Sequence, residues 1–222
     1  MRKAIASVLV CLTVSMAASA GGYVPEPRPA NEFNFSYGRA SLPSVAMVIG
    51  GTFSTVFTFG LATMDRFWTT GTVTAGYYRY LNNHIAVGGD VIYERLCLEM
   101  RSYSGKDENG NAMYDNELTP HPNSFISVVP GVKLPWFNNS HFSMYSKLNA
   151  GFAVAYSPRV VTAEEGSDGQ PVENVSEAST DFTYAIQFSP IGMDFGGQSF
   201  RGFIELGLGM QGLICGGVKY AF

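Results

Sequence analysis

Polar and apolar residues alternate through most of the chain after residue 30. In NEFNFSYGR (31–39), Phe33, Phe35 and Tyr37 alternate with Glu32, Asn34 and Ser36. A period of two sends successive side chains to opposite faces of an extended strand, so one face here is aromatic and the other polar. The same period runs through TTGTVTAGYYRYL (69–81), HIAVGGDVIYERLCLEM (84–100), SFISVVPGVKLPWF (124–137), HFSMYSKLNAGFAVAYS (141–157), DFTYAIQFSPIGM (181–193), RGFIELGLGM (201–210) and LICGGVKYAF (213–222). Together these segments predict eight strands.

One stretch breaks the pattern. SLPSVAMVIGGTFSTVFTFGLATM (41–64) is 24 residues without a charge, between Arg39 and Asp65. Its length suits a membrane-crossing helix, yet it is rich in Gly and β-branched residues. It falls between the first two strands and reads as an apolar connection, with a short helix near Ser44–Ile49 and a strand-like portion near Thr52–Phe59. The competing reading makes Thr52–Leu61 a strand and displaces NEFNFSYGR from the sheet. Elsewhere, tight turns at 82–83, 138–140 and 194–199 interleave with long polar stretches at 101–123 and 158–180.

Composition turns these strands into a specific architecture. Charged residues are 14% of the chain, where soluble domains average about 25%. A transmembrane barrel spreads its apolar surface thinly, because only alternate residues face lipid. The expected fold is therefore all-β: an eight-stranded antiparallel up-and-down transmembrane β-barrel with short periplasmic turns and long external loops. At the N-terminus, Arg2 and Lys3, an apolar stretch and the small residues Ala18, Ser19 and Ala20 predict a signal peptide over 1–20, cleaved near Ala20. A Pro- and Gly-rich lead-in over 21–30 precedes the barrel, 31–222. Loss of Arg2 and Lys3 takes the net charge from −4 to −6, which argues against a nucleic-acid partner.

Lipid-facing positions exclude charge, so charged strand residues are expected inside. Parity sends Asp90, Glu94, Lys133, Lys147, Glu205 and Lys219 inward, three carboxylates against three ammoniums. Side chains fill an eight-stranded barrel, and buried ions must pair. A closed polar interior bridged by Tyr145, Asn149 and Gln187 is expected, with no open channel. Cys215 is expected inward and Cys97 outward, on strands that are not neighbours, and hence unpaired.

The chain ends in an alternating apolar face, Ile214, Gly216, Val218, Tyr220 and Phe222. That terminus resembles the C-terminal strand signal of Gram-negative outer-membrane barrels. PGVKLPWFNNSHFSMYSKLNAGFA and FSPIGMDFGGQSFRGFIELGLGMQGLICGGVKYAF resemble the small outer-membrane β-barrel domain family, over roughly residues 31 to 222. The resemblance implies recognition of Val218, Tyr220 and Phe222 by the outer-membrane assembly machinery. It also implies a monomer in the cell outer membrane, in contact with lipid and lipopolysaccharide.

No residue pattern demands a catalyst, metal or cofactor. KDENGNAMYDNE (106–117) partly matches a calcium loop through Asp107, Asn109, Asn111 and Asp115, but lacks the Gly and the bidentate Glu at the required places. An Asn-Gly hairpin extending two strands fits it better. TAEEGSDGQPVENVSEASTD (162–181) is acidic and reads as a solvated loop, able to collect divalent ions or a basic partner. His84 and His141 lie beside predicted turns, and His121 in a long loop, without an accompanying nucleophile. The expected protein is a non-enzymatic, structural or adhesive barrel, or one binding an unspecified ligand or partner through its external loops. The alternatives are a lipid-modifying outer-membrane enzyme and a soluble barrel holding an apolar ligand.

Overall fold

An open edge would leave a row of unpaired N–H and C=O groups on such segments, and here eight of them close on one another. The computed structural model describes residues 29–59, 62–106, 112–115, 122–165 and 171–222. The expected signal (1–20), most of the lead-in and His121 lie outside the described residues. In chain order the elements are β1 (Asn31–Arg39), α1 (Leu42–Phe57), β2 (Ala62–Asn82), β3 (Ile85–Lys106), β4 (Ala112–Asp115), β5 (Asn123–Asn138), β6 (Phe142–Ser157), β7 (Val160–Glu165), β8 (Pro171–Ser176), β9 (Ser179–Gly196), β10 (Phe200–Gly209) and β11 (Ile214–Ala221).

Strands β1, β2, β3, β5, β6, β9, β10 and β11 pair antiparallel in that order, and β1 closes the wall against β11. The result is a closed eight-stranded up-and-down barrel, in which each alternating segment read from the sequence supplies one stave. Register aligns the outer faces: Phe33 stands opposite Tyr220 on one side and Tyr77 on the other. Slipping β1 by one residue would turn Phe33, Phe35 and Tyr37 into the lumen and Glu32 out, so the two-faced pattern fixes the pairing.

One end of the barrel has three short turns. Asn82 Oδ1 accepts from the backbone N–H groups of His84 (2.8 Å) and Ile85 (2.9 Å) in the β2–β3 turn. Asn139 repeats the device between β5 and β6, accepting from His141 (3.0 Å) and Phe142 (2.7 Å). His84 and His141 are close to the surface there. The other end carries α1, a hairpin in which β3 continues past the wall to pair with β4, a separate β7–β8 hairpin, and a tight turn between β10 and β11.

Three expectations need correction. First, residues expected to be strand-like in 41–64 are helical: α1 runs from Leu42 to Phe57, so Thr52–Phe57 is neither strand-like nor a barrel strand, and NEFNFSYGR keeps its place as β1. Ser41 caps the helix by accepting from Ser44 N–H at 3.2 Å, with Pro43 in the first turn. Thr52, Thr55 and Thr58 donate to the carbonyls four residues back, at 2.8, 3.0 and 2.8 Å, which removes the β-branched residues' competing polar group. Second, Asp194 is not in a turn: β9 continues to Gly196 and buries it. Third, 158–180 is not simply a loop, because Val160–Glu165 pairs with Pro171–Ser176. Ser102–Lys106 pairs with Ala112–Asp115, in agreement with a hairpin that extends two strands there, while Asp107, Asn109 and Asn111 lie outside the described residues.

Candidate functional site

The lumen is built from alternate residues of the wall. Asp90, Glu94, Lys133, Lys147, Glu205 and Lys219 are all buried. So are Tyr145, Asn149 and Gln187. Two further acids, Glu32 and Asp194, join them.

Near the turn end, Lys133 Nζ pairs with Glu32 Oε1 at 2.7 Å, and Lys219 Nζ pairs with Asp194 Oδ1 at 2.5 Å. Both ammoniums lie 4.0 Å from the centre of the Tyr145 ring. Tyr145 accepts from Lys219 at 2.7 Å and donates to Glu205 Oε1 at 2.6 Å, linking the lower pairs to the middle of the lumen. Its ring lies against Gly192, where any Cβ would overlap it. Glycine there makes room for the bridge.

Higher up, Lys147 Nζ sits between Glu205 Oε2 (2.7 Å) and Asp90 Oδ2 (3.3 Å). Asp90 Oδ2 also accepts from Tyr78, Asn149 and Gln211 at 3.0, 2.8 and 3.1 Å. Each of these three lysines thus meets a carboxylate, and the carboxylates take neutral donors as well, the condition under which buried ions are tolerated. Above the network, Ile92, Val129, Ala153, Ala185 and Met210 form a small apolar cluster inside the wall.

Glu94 stands apart from the expected three-against-three pairing. Among the described residues it forms no ion pair, and Glu32 and Asp194 take the lysines instead. Its Oε2 accepts from the helix-capping Ser41 hydroxyl, and its Oε1 from Thr69 at 2.8 Å. A carboxylate at a helix N-terminus is favoured by the unpaired N–H groups there. Glu94 therefore ties α1 to the wall.

Two small residues bring the helix onto the barrel. Ser44 and Gly51 are buried; a Cβ on Gly51 would stand 3.0 Å from Met64 Sδ, so the small residue sets the close approach to β2. Leu42, Ile49, Phe53, Val56 and Phe57 are exposed, and the rings of Phe53 and Phe57 stack at 5.7 Å. At helical spacing these form one apolar stripe pointing away from the protein. No helix among the described residues is long and apolar enough to cross a membrane.

Alternation made the six charged lumen residues legible, and it applied equally to Glu32, which alternates with Phe33 and Phe35. Asp194 was hidden because GMDFGG resembles a turn. The cap Ser41 and its partner Glu94 are far apart in sequence, and nothing local joins them. Among the described residues, no group of three His, Cys, Asp or Glu is placed to hold a metal ion. Cys97 and Cys215 are free, and Cys97, expected to face outward, is buried like Cys215.

Comparison with known proteins finds no matching family model and no matching curated sequence.

Proposed function

We propose that this chain is a monomeric outer-membrane protein whose barrel crosses the bilayer. In this reading it carries no catalytic site and binds a ligand or partner through α1 and the hairpins at that end. The observation carrying the reading is the inverted distribution of polarity. Phe35, Val91, Val128, Leu148, Ile186, Ile204 and Val218, on seven of the eight staves, are exposed, while the charges are in the lumen.

Aromatic residues gather toward both ends of this belt. Phe33, Tyr77, Phe195, Phe200, Tyr220 and Phe222 are exposed toward the short turns; Tyr37, Tyr93, Tyr156, Phe182 and Tyr184 toward the helix. Interfacial girdles of this kind flank the apolar band of membrane barrels. The short turns would face the periplasm, and α1 with the hairpins the exterior. Lipid and lipopolysaccharide would surround the belt, and the assembly machinery would engage Val218, Tyr220 and Phe222. The filled lumen favours a protein that conducts nothing, and its charge disfavours storage of an apolar ligand inside.

Fractionation tests this reading. Expected is recovery of the chain with the outer membrane and a gel mobility that changes on boiling. A chain found in the soluble fraction, with no heat-dependent shift, overturns it.

A further inference from the structure

Between α1 and β2 lies a cleft of about 320 Å³. Its walls are Val45, Val48, Ile49 and Phe67, and among the described residues the only charged side chain lining it is Arg39. We propose that this cleft binds a fatty acid, with the alkyl chain along those four side chains and the carboxylate at Arg39.

Size and shape favour one chain. The volume is at the lower end of small-molecule sites, about 300 to 1,000 Å³, which suits one alkyl chain better than a lipid with several. Charge selects the headgroup. The protein is acidic overall, at −4, so an exposed guanidinium at an apolar cleft is the local exception. Arg39 lies 5.4 Å from the centre of the Tyr37 ring, and Tyr37 is itself fixed by donating to Thr70 O at 2.8 Å. This cation–π contact steadies the guanidinium, whose planar donors can make two parallel bonds to a carboxylate.

Backbone geometry places it there. Ala40 has a left-handed φ of 57°, a costly conformation for a residue with a Cβ. It turns the chain between the end of β1 and the Ser41 cap, which sets Arg39 and Val45 on the same cleft. The nearby acid does not compete: Glu94 is buried and engaged by Ser41 and Thr69. Ile49 belongs both to the cleft and to the exposed apolar stripe, so a chain can slide in sideways from an apolar surrounding. This route of entry rests on the membrane reading; the site itself does not.

Photolabelling tests the proposal. The protein is reconstituted into phosphatidylcholine vesicles with a fatty acid bearing a diazirine near its chain end. Label is expected on Val45–Ile49 and Phe67, displaced by laurate and not by dodecyltrimethylammonium. Arg39→Ala should cut that labelling about tenfold, through loss of a charge-assisted pair, and Arg39→Lys, which keeps the charge but loses the paired donors, should fall between the two. Val48→Trp should fill the cleft and abolish labelling while the heat-dependent gel shift persists. Label confined to the barrel's outer belt, labelling unchanged by Arg39→Ala, or equal displacement by the cation overturns the proposal. Absence of label in protein that floats with the vesicles defeats this inference alone. Labelling at the cleft in protein that does not join vesicles defeats the membrane reading alone.

Discussion

The barrel wall and α1 both leave large apolar side chains facing outward, but they are secured on their inner sides differently. In the wall, full charges meet in a continuous network from Glu32 through Lys219, Tyr145, Glu205 and Lys147 to Asp90. Under α1 the contacts are Ser41 and Ser44 at the capped end, Gly51 against Met64 and Leu98, and the single carboxylate of Glu94. A network of paired ions cannot lose one member cheaply, whereas neutral contacts can separate singly. The wall is therefore the cooperative unit, and α1 the element expected to open without unfolding it.

The largest effect is expected inside the wall. Lys147→Met leaves Asp90 and Glu205 buried without their shared cation and should cost about 3 to 5 kcal/mol. The midpoint of urea unfolding of the reconstituted barrel measures it, and a loss no greater than that of an exposed substitution breaks the contrast. Next is the outer face. Ile186→Arg should destabilise the lipid-embedded barrel by about 2 to 4 kcal/mol if this position lies near mid-membrane. The same variant in detergent micelles supplies the comparison.

The helix should respond more weakly. Ser41→Ala removes the cap and one partner of Glu94, for about 1 kcal/mol. Amide exchange should quicken over 42–57 and stay slow in β5 and β6; equal acceleration in both would mean that α1 and the wall unfold together. The smallest change is expected from Phe53→Ala, on the exposed stripe. Its effect on urea unfolding in detergent should stay within about 0.5 kcal/mol, and a larger loss would show that the stripe is packed after all.

The same contrast explains what was legible in the sequence. A strand's period of two survives wherever one face is polar, so all eight staves and the inward Asp90, Lys133, Lys147, Glu205 and Lys219 could be read from spacing. Residues 41–64 contain no charge to mark a face. Their β-branched residues favour a strand locally, and the outcome is set by tertiary and capping contacts: Ser41 at the N-terminus, Gly51 against Met64, and threonine hydroxyls turned onto their own helix. Propensity is a weak prior against such contacts. Asp194 was missed for the opposite reason, since flanking glycines signalled a turn where β9 continues for two further residues.

The outer face of the barrel is proposed to meet hydrocarbon. Spin labels placed singly at Val128, Leu148, Ile186 and Val218, which stand outward on four different staves, test it most directly after reconstitution into phosphatidylcholine vesicles. Oxygen, which dissolves in lipid, is expected to relax every label efficiently while a water-soluble nickel chelate does not. Efficient relaxation of all four by the nickel chelate, with no preference for oxygen, would contradict it.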